Sequence, residues 1–223
     1  MATITKMSGY KSYEFPKQSE AEELANTVTH GMGMVLSITG TAVLLGFALH
    51  QGIAAGQLFA TLLYCASLIS VYAASTFSHA LQEPHRKYVF RVLDQAVIYC
   101  LIAGTYTPFI LLYLPGHRSW LVFGIVWGLA LAGFVSKVLL KHRVDAVVVA
   151  NYVLLGWVPA AALFYLLPFD CLMWMLVGGC LYTGGAFFLT FDQRVPFFHA
   201  AWHAFVLLAS AVHFYGVLHY TVV

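Results

Sequence analysis

Two histidines near the C-terminus, His199 and His203, are separated by three residues. In an α-helix this spacing places both imidazoles one turn apart on one face, where both can bind one metal ion. Ser75 and His79 share the same spacing, which brings a hydroxyl and an imidazole together on another helix. Three histidines and a water molecule make a hydrolytic zinc site, because zinc lowers the pKa of the water. A carboxylate beside that water can orient it and accept its proton, and Asp94 is the candidate for this task.

Each of these residues also has a simpler interpretation. A single histidine inside a membrane often only hydrogen-bonds a neighbouring helix, and Asp94 could be a packing carboxylate near the start of a helix. Haem is a competing cofactor. However, His199 and His203 lie on the same helix face, so they cannot ligate opposite sides of one macrocycle. The combination of these residues favours a metal site, with zinc as the preferred ion.

The elements that carry these residues are predicted to be membrane helices. Of the 223 residues, 61% are hydrophobic and only 9% are charged, whereas a soluble domain has about a quarter charged residues. Seven charge-poor stretches are long enough to cross a bilayer, and no alternating barrel-strand pattern occurs. These stretches are 27–49, 57–81, 92–114, 120–140, 146–167, 171–189 and 197–220. We therefore predict an all-α bundle of seven transmembrane helices, with six as the alternative if the short sixth stretch lies at the interface.

The distribution of lysine and arginine predicts the orientation of the bundle, because these residues gather on the cytoplasmic side. Ten of the eleven lysine and arginine residues fall on one side of the predicted membrane, and only Arg118 falls on the other. The ten are Lys6, Lys11, Lys17, Arg86, Lys87, Arg91, Lys137, Lys141, Arg143 and Arg194. We predict a cytoplasmic N-terminus, an outside C-terminus, a short tail at 1–26 and a seven-helix domain at 27–223. The net charge of +2 gives no sign of a nucleic-acid partner.

Five ionisable side chains share one membrane leaflet in this topology. At about 1.5 Å per helical residue, Asp94, His79, His199 and His203 lie roughly 4 to 13 Å from the cytoplasmic face. His30 lies at the inner end of the first span. Polar groups at membrane depth are costly, which makes them candidates for function. We therefore expect a site in the cytoplasmic leaflet.

The ordered motifs resemble the hemolysin III family, which belongs with the adiponectin and progestin receptors to one group of seven-helix membrane proteins. The motifs are Glu23-x2-Asn26-x3-His30-Gly31, Ser75-x3-His79, Asp94 at the start of the third span, and His199-x3-His203.

The resemblance implies a zinc ion held by His79, His199 and His203, and a water between the zinc and Asp94. It also places Ser75 near this water or near a substrate carbonyl. The first motif has a supporting role: we expect its residues to hydrogen-bond helix ends together near the site rather than to bind metal. These residues are Glu23, Asn26 and His30.

Three functions are compatible with this sequence. The leading hypothesis is a zinc-dependent hydrolase of a lipid amide or ester, with ceramidase-like chemistry, whose partners are membrane lipids and whose substrate derives from them. The alternative is a receptor-like protein that senses or regulates lipids and in which zinc only staples helices together. The third is a haemolysin-type pore, which only the family name supports. The compact size and short N-terminal segment suggest a protein of the bacterial cytoplasmic membrane.

Overall fold

The computed structural model describes residues 18–140 and 146–223, and within them it contains helices and no strand. The helices are α1 (Glu20–Gln51), α2 (Ala55–Ala80), α3 (Pro84–Tyr113), α4 (His117–Leu140), α5 (Ala146–Leu163), α6 (Phe169–Phe191) and α7 (Phe198–Val217). A π-helical turn, Leu218–Val222, continues α7. The predicted all-α bundle of seven helices is therefore confirmed.

Six of the helices are long and apolar enough to cross a membrane by length and composition, and α5 is a shorter apolar helix. The sequence led us to expect the sixth stretch to be the short one, and the structure corrects this. The fifth stretch was predicted to reach residue 167, but the helix ends at Leu163, whose carbonyl accepts the N–H groups of Leu166 and Leu167 in a turn. Pro168 follows, and the residue before a proline disfavours helical geometry.

Local signals fix the ends of the helices that carry the site. Ser19 caps α1 in a capping box with Glu22, so α1 begins at Glu20, within the segment predicted as a tail. The carboxylate of Glu83 caps α3 by accepting the backbone N–H groups of His85 and Arg86, and these two hydrogen bonds lower the pKa of its carboxyl group. The turn between α2 and α3 therefore brings the end of α2 beside the start of α3.

The most extensive packing joins α2 to α3, followed by α6 to α7 and α1 to α2, and α1 also packs against α7. These contacts place the starts of α1, α3 and α7 around the end of α2. Large apolar side chains on the outer faces of α1 and α4 are exposed, among them Val35, Leu36, Leu121 and Leu129. Such exposed hydrocarbon fits a protein whose surroundings are lipid rather than water.

The helices alternate in direction, so basic residues at different points of the chain meet at one end of the bundle. Arg86, Lys87, Arg91, Lys137 and Arg194 all lie at the end where α1 begins, whereas Arg118 lies at the opposite end. The other residues used for the predicted orientation, Lys6, Lys11, Lys17, Lys141 and Arg143, lie outside the described residues, as does most of the predicted tail.

Candidate metal centre

Three imidazoles converge at the end of the bundle where α1 begins. One ring nitrogen each of His79, His199 and His203 lies within 4.8 Å of the other two. The ring centroids are 5.2 Å apart for His79 and His199, 5.1 Å for His79 and His203, and 4.5 Å for His199 and His203. Imidazole nitrogens at such separations can bind one metal ion between them.

His79 lies on the last turn of α2 and is oriented by a carboxylate from α1. Its Nδ1 is 2.7 Å from Oε2 of Glu23. A carboxylate can only accept, so Nδ1 donates its hydrogen, and the lone pair of Nε2 is left for a metal.

The Glu23 carboxylate also binds two cations from α3. Its Oε1 accepts from Nζ of Lys87 and from Nη2 of Arg91, each at 2.8 Å. Glu23 is only 15% exposed, so these ion pairs are largely shielded from solvent. One side chain of α1 therefore connects the end of α2 to the start of α3 and orients His79.

A second carboxylate orients His199, on the first turn of α7. Its Nδ1 is 2.8 Å from Oδ2 of Asp192, which follows the end of α6. The turn between these two residues is held against α1, because the N–H of Phe197 donates to Oε1 of Glu22 at 2.9 Å. Phe197 has a φ of 62°, so this turn has the strained left-handed geometry that few residues other than glycine adopt.

His203 is fully buried and packs against the ring of His30. The two rings are stacked, with centroids 3.5 Å apart and planes inclined by 19°. His30 also meets the ring of Tyr72 edge-on at 5.2 Å. The third member of the predicted supporting motif, Asn26, is buried and donates from Nδ2 to Oε1 of Gln18 at 3.0 Å. The structure thus places the whole Glu23, Asn26 and His30 motif beside the histidine cluster.

Asp94, near the start of α3, faces the histidines across a cavity of about 270 Å³. His79, His199 and Asp94 line this cavity, and Asp94 does not belong to the set of mutually close ligand atoms. Ser75 and Ser78 of α2 both approach the Asp94 carboxyl group, with Oγ of Ser78 at 3.5 Å from Oδ2. The space between Asp94 and the imidazoles can hold water or a small polar group.

The sequence prediction missed several residues of this site. Asp192 was not singled out as a site residue, and Lys87 and Arg91 were used only to predict orientation. Ser78 was not singled out. A signal for Asp192 exists, because it precedes His199 by one short turn that contains Pro196. The basic residues and Ser78 have no such signal, since their contacts are with residues of other helices.

The comparisons with known proteins all point to related proteins of one family. A family model described as "Haemolysin-III related" matches residues 18–214. The chain is 38% identical over 202 residues to "Hemolysin-3" of Bacillus cereus, which covers 89% of this chain and 91% of that protein. It is 37% identical over 204 residues to "Hemolysin-3 homolog" of Bacillus subtilis, with 90% and 95% covered. It is 30% identical over 210 residues to the human "Monocyte to macrophage differentiation factor", with 89% and 84% covered.

Proposed function

This chain belongs to the hemolysin III family of membrane proteins, within the adiponectin and progestin receptor group, and from its site we infer that it is a zinc-dependent hydrolase of a lipid amide or ester. The observation that supports this proposal is the convergence of three imidazoles beside a cavity that Asp94 also lines.

The donor set fits zinc. His79, His199 and His203 would hold the ion through three imidazole nitrogens, a set typical of zinc and unlike the oxygen ligands of magnesium or calcium. Carboxylates hold the Nδ1 atoms of His79 and His199, an arrangement frequently found behind metal-binding histidines. When bound in such a site, zinc activates a water molecule and polarises a carbonyl group.

The cavity favours catalysis over a purely structural metal. A structural zinc site is closed by four protein ligands, whereas a catalytic site has three and an open position. The described cluster contains three histidines, and a cavity of about 270 Å³ adjoins two of them. Water and a carbonyl group could therefore reach the same place.

The remaining residues have separate tasks in this proposal. Asp94 takes a proton from the attacking water and returns it to the amine or alcohol that leaves. Ser78 lies beside the Asp94 carboxylate, with its Oγ 3.5 Å from Oδ2, while its hydroxyl donates to the Ser75 carbonyl at 2.9 Å, so it limits the space around the carboxylate. Ser75, one turn before His79, lies beside Asp94, and its buried Oγ has no hydrogen-bond partner within the described residues, so we assign it to holding the water or the substrate carbonyl.

The surroundings of the cavity favour an amphiphilic substrate. Arg91 and Arg194 line it together with the apolar side chains of Ile98, Leu189 and Trp202. A lipid could place its polar carbonyl region near the imidazoles and its hydrocarbon beside these apolar residues. With the predicted orientation, the substrate would come from the cytoplasmic leaflet of a bacterial inner membrane.

The experiment measures fatty-acid release from a panel of lipid amides and esters, ceramide included, by purified protein in lipid nanodiscs. We expect release by the wild type and a loss of about 100-fold or more in Asp94→Asn with the zinc content unchanged. Asp170→Asn, which alters an exposed acid at the start of α6, is the matched control and should retain activity.

Other results would favour the competing functions. If wild-type protein that contains zinc cleaves no lipid of the panel, the hydrolase proposal fails. The zinc would then be a structural ion that holds α2 and α7 together. Dye leakage from liposomes that is independent of His79 would instead support a pore.

A further inference from the structure

The first turn of α1 contains none of the three histidines of the metal centre, yet it contacts the segments that carry two of them. Glu23 accepts a hydrogen bond from Nδ1 of His79. Its neighbour Glu22 reaches the turn between α6 and α7, where Oε1 accepts the backbone N–H of Phe197 at 2.9 Å. His199 follows Phe197 by only two residues. Two adjacent carboxylates of α1 therefore lie behind two different metal-binding helices.

Both oxygens of the Glu22 carboxylate are engaged in hydrogen bonds. Oε2 accepts from the backbone N–H of Ser19 at 2.9 Å and from the Ser19 hydroxyl at 2.8 Å, while Oε1 accepts from Phe197. Glu22 borders the cavity of the metal centre, but its oxygens do not belong to the set of mutually close ligand atoms. The carboxylate thus links the start of α1 to the turn between α6 and α7.

Phe197 has a backbone conformation that depends on support from its surroundings. It is the N-cap residue of α7, with φ 62° and ψ 3°. This left-handed geometry is disfavoured for a residue that has a Cβ atom. The side chain of Phe197 is 49% exposed, so burial of the ring offers only partial compensation. The hydrogen bond to Glu22 therefore opposes relaxation of this turn.

The same turn determines where His199 lies. Asp192 precedes the turn and His199 follows it, and the two side chains form a hydrogen bond of 2.8 Å across it. A change in the backbone at Phe197 would move the start of α7 relative to Asp192. It would also move His199 relative to His79, which is on α2.

We propose that Glu22 is a positioning residue of the metal centre. By accepting the N–H of Phe197, it holds the turn in the conformation that presents His199 to the metal. A turn that is ordered beforehand does not have to be ordered during binding, so the affinity for metal is higher. This inference rests on the metal centre of the proposed function and is independent of whether the protein hydrolyses a lipid.

The first test measures the affinity of full-length protein in nanodiscs for Zn²⁺ and Co²⁺, by competition with a chelator. We expect Glu22→Ala to weaken the binding of both ions about tenfold, as for other residues behind metal-binding histidines. Glu22→Gln retains an acceptor for Phe197 and should lose less. Glu20→Ala removes an exposed acid of the same helical turn and is the matched control, which should bind as the wild type does.

A second control separates support of the turn from the stability of α1. Ser19→Ala breaks the capping box of α1 but leaves Oε1 of Glu22 available to Phe197. We therefore expect this variant to retain most of the wild-type affinity for metal. An equal loss of affinity in Ser19→Ala and Glu22→Ala would mean that Glu22 acts only by capping α1, which contradicts the proposal.

A rescue experiment tests the backbone conformation itself. Glycine adopts a positive φ without a steric penalty, so Phe197→Gly should keep the turn in place with less support from Glu22. In the double variant of Glu22→Ala and Phe197→Gly, the affinity for metal should recover by about fivefold relative to Glu22→Ala alone. A double variant without any recovery would contradict the proposal, because a role limited to α1 would be unaffected by residue 197.

Hydrogen exchange of the backbone reports on the turn in the absence of metal. The peptide that contains Phe197 should exchange faster in metal-free Glu22→Ala than in the metal-free wild type, whereas Ser19→Ala should resemble the wild type. Equal exchange in the wild type and Glu22→Ala would show that the turn keeps its conformation without Glu22. This measurement remains decisive even if a variant binds no metal.

Failure of this inference can be distinguished from failure of the proposed function. If the wild type binds metal and the variants differ as expected, but no lipid is cleaved, only the hydrolase proposal fails. If Glu22→Ala binds metal as tightly as the wild type does, only the positioning role fails. A wild-type protein that binds neither Zn²⁺ nor Co²⁺ would overturn both.

Discussion

The two halves of α7 contain the same residue type in two different environments. At its start, His199 and His203 lie close to His79, and the Glu23 and Asp192 carboxylates orient two of the three rings. In its second half, His213 faces a neutral, apolar cavity and bonds only to a backbone carbonyl. The comparison shows that the role of a buried histidine is decided by the neighbouring helices and not by its own.

The hydrogen-bond partners of the rings explain the difference between the two halves. Acids and bases both surround the first half, and there the carboxylates of Glu23 and Asp192 accept hydrogen bonds from Nδ1 of His79 and His199. These hydrogen bonds leave the lone pair of Nε2 on each ring for a bound cation. The second half has no described acidic side chain in its cavity, so its histidine is suited to a neutral hydrogen bond.

The largest expected effect comes from removing histidines either from the start of α7 or from its second half and the π-helical turn that follows. The double variant of His199→Ala and His203→Ala should lose essentially all bound metal, whereas the double variant of His213→Ala and His219→Ala should retain about one ion per chain. Elemental analysis of the purified proteins measures both. Equal metal contents in the two double variants would show that the histidines of the two regions do not differ in metal binding.

The next effect concerns the carboxylates that orient the metal-binding rings. Glu23→Gln and Asp192→Asn should each weaken metal binding by about 10- to 100-fold, since both remove the charged partner of an Nδ1. Glu23→Gln should be the more severe, because it also removes the negative charge that accepts from Lys87 and Arg91 beside the proposed divalent cation.

Competition with a chelator of known affinity measures this effect, and Glu83→Gln, at the exposed cap of α3, is the control. Unchanged affinity in both carboxylate variants would mean that the rings are held by packing alone.

The third prediction concerns the tight contact between Gly178 of α6 and the ring of His213 in the second half of α7. Gly178→Ala should destabilise the protein by about 1–3 kcal/mol, because the added methyl group overlaps the His213 ring. Gly128→Ala, on an exposed part of α4 with no neighbouring atoms, should be neutral or stabilising by up to about 1 kcal/mol. Unfolding in detergent measures both, and a stable Gly178→Ala variant would contradict the described packing.

The smallest effect is expected for Ser78→Ala. Its hydroxyl donates to the Ser75 carbonyl at 2.9 Å and is 3.5 Å from Asp94, so its contact with the carboxylate is weak. Fatty-acid release should fall by less than about tenfold, with the metal content unchanged. A loss as large as that of Asp94→Asn would mean that Ser78 takes part in the reaction directly.

Much of the fold could be predicted from sequence, because a membrane helix is a local feature. Charge-poor stretches located all seven helices, and the histidine and serine spacings located the neighbours within α2 and α7. The motif order also indicated the family. The end of α5 was missed because the turn before Pro168 is as apolar as the helix itself.

The interhelical partners could not be predicted in the same way. Contacts such as Lys87 with Glu23, Ser78 with Asp94, and Gly178 with His213 depend on how each helix is rotated about its axis. Helical spacing within one segment does not determine that rotation. His213 illustrates the point, since only its neighbours on α6 distinguish it from the histidines at the start of α7.

The most direct test of the proposed metal centre is X-ray absorption spectroscopy of the purified protein at the zinc edge. We expect a first shell of nitrogen or oxygen at about 2.0–2.1 Å with the scattering pattern of three imidazoles. A sulfur shell at about 2.3 Å, or a metal without imidazole scattering, would contradict a site formed by His79, His199 and His203.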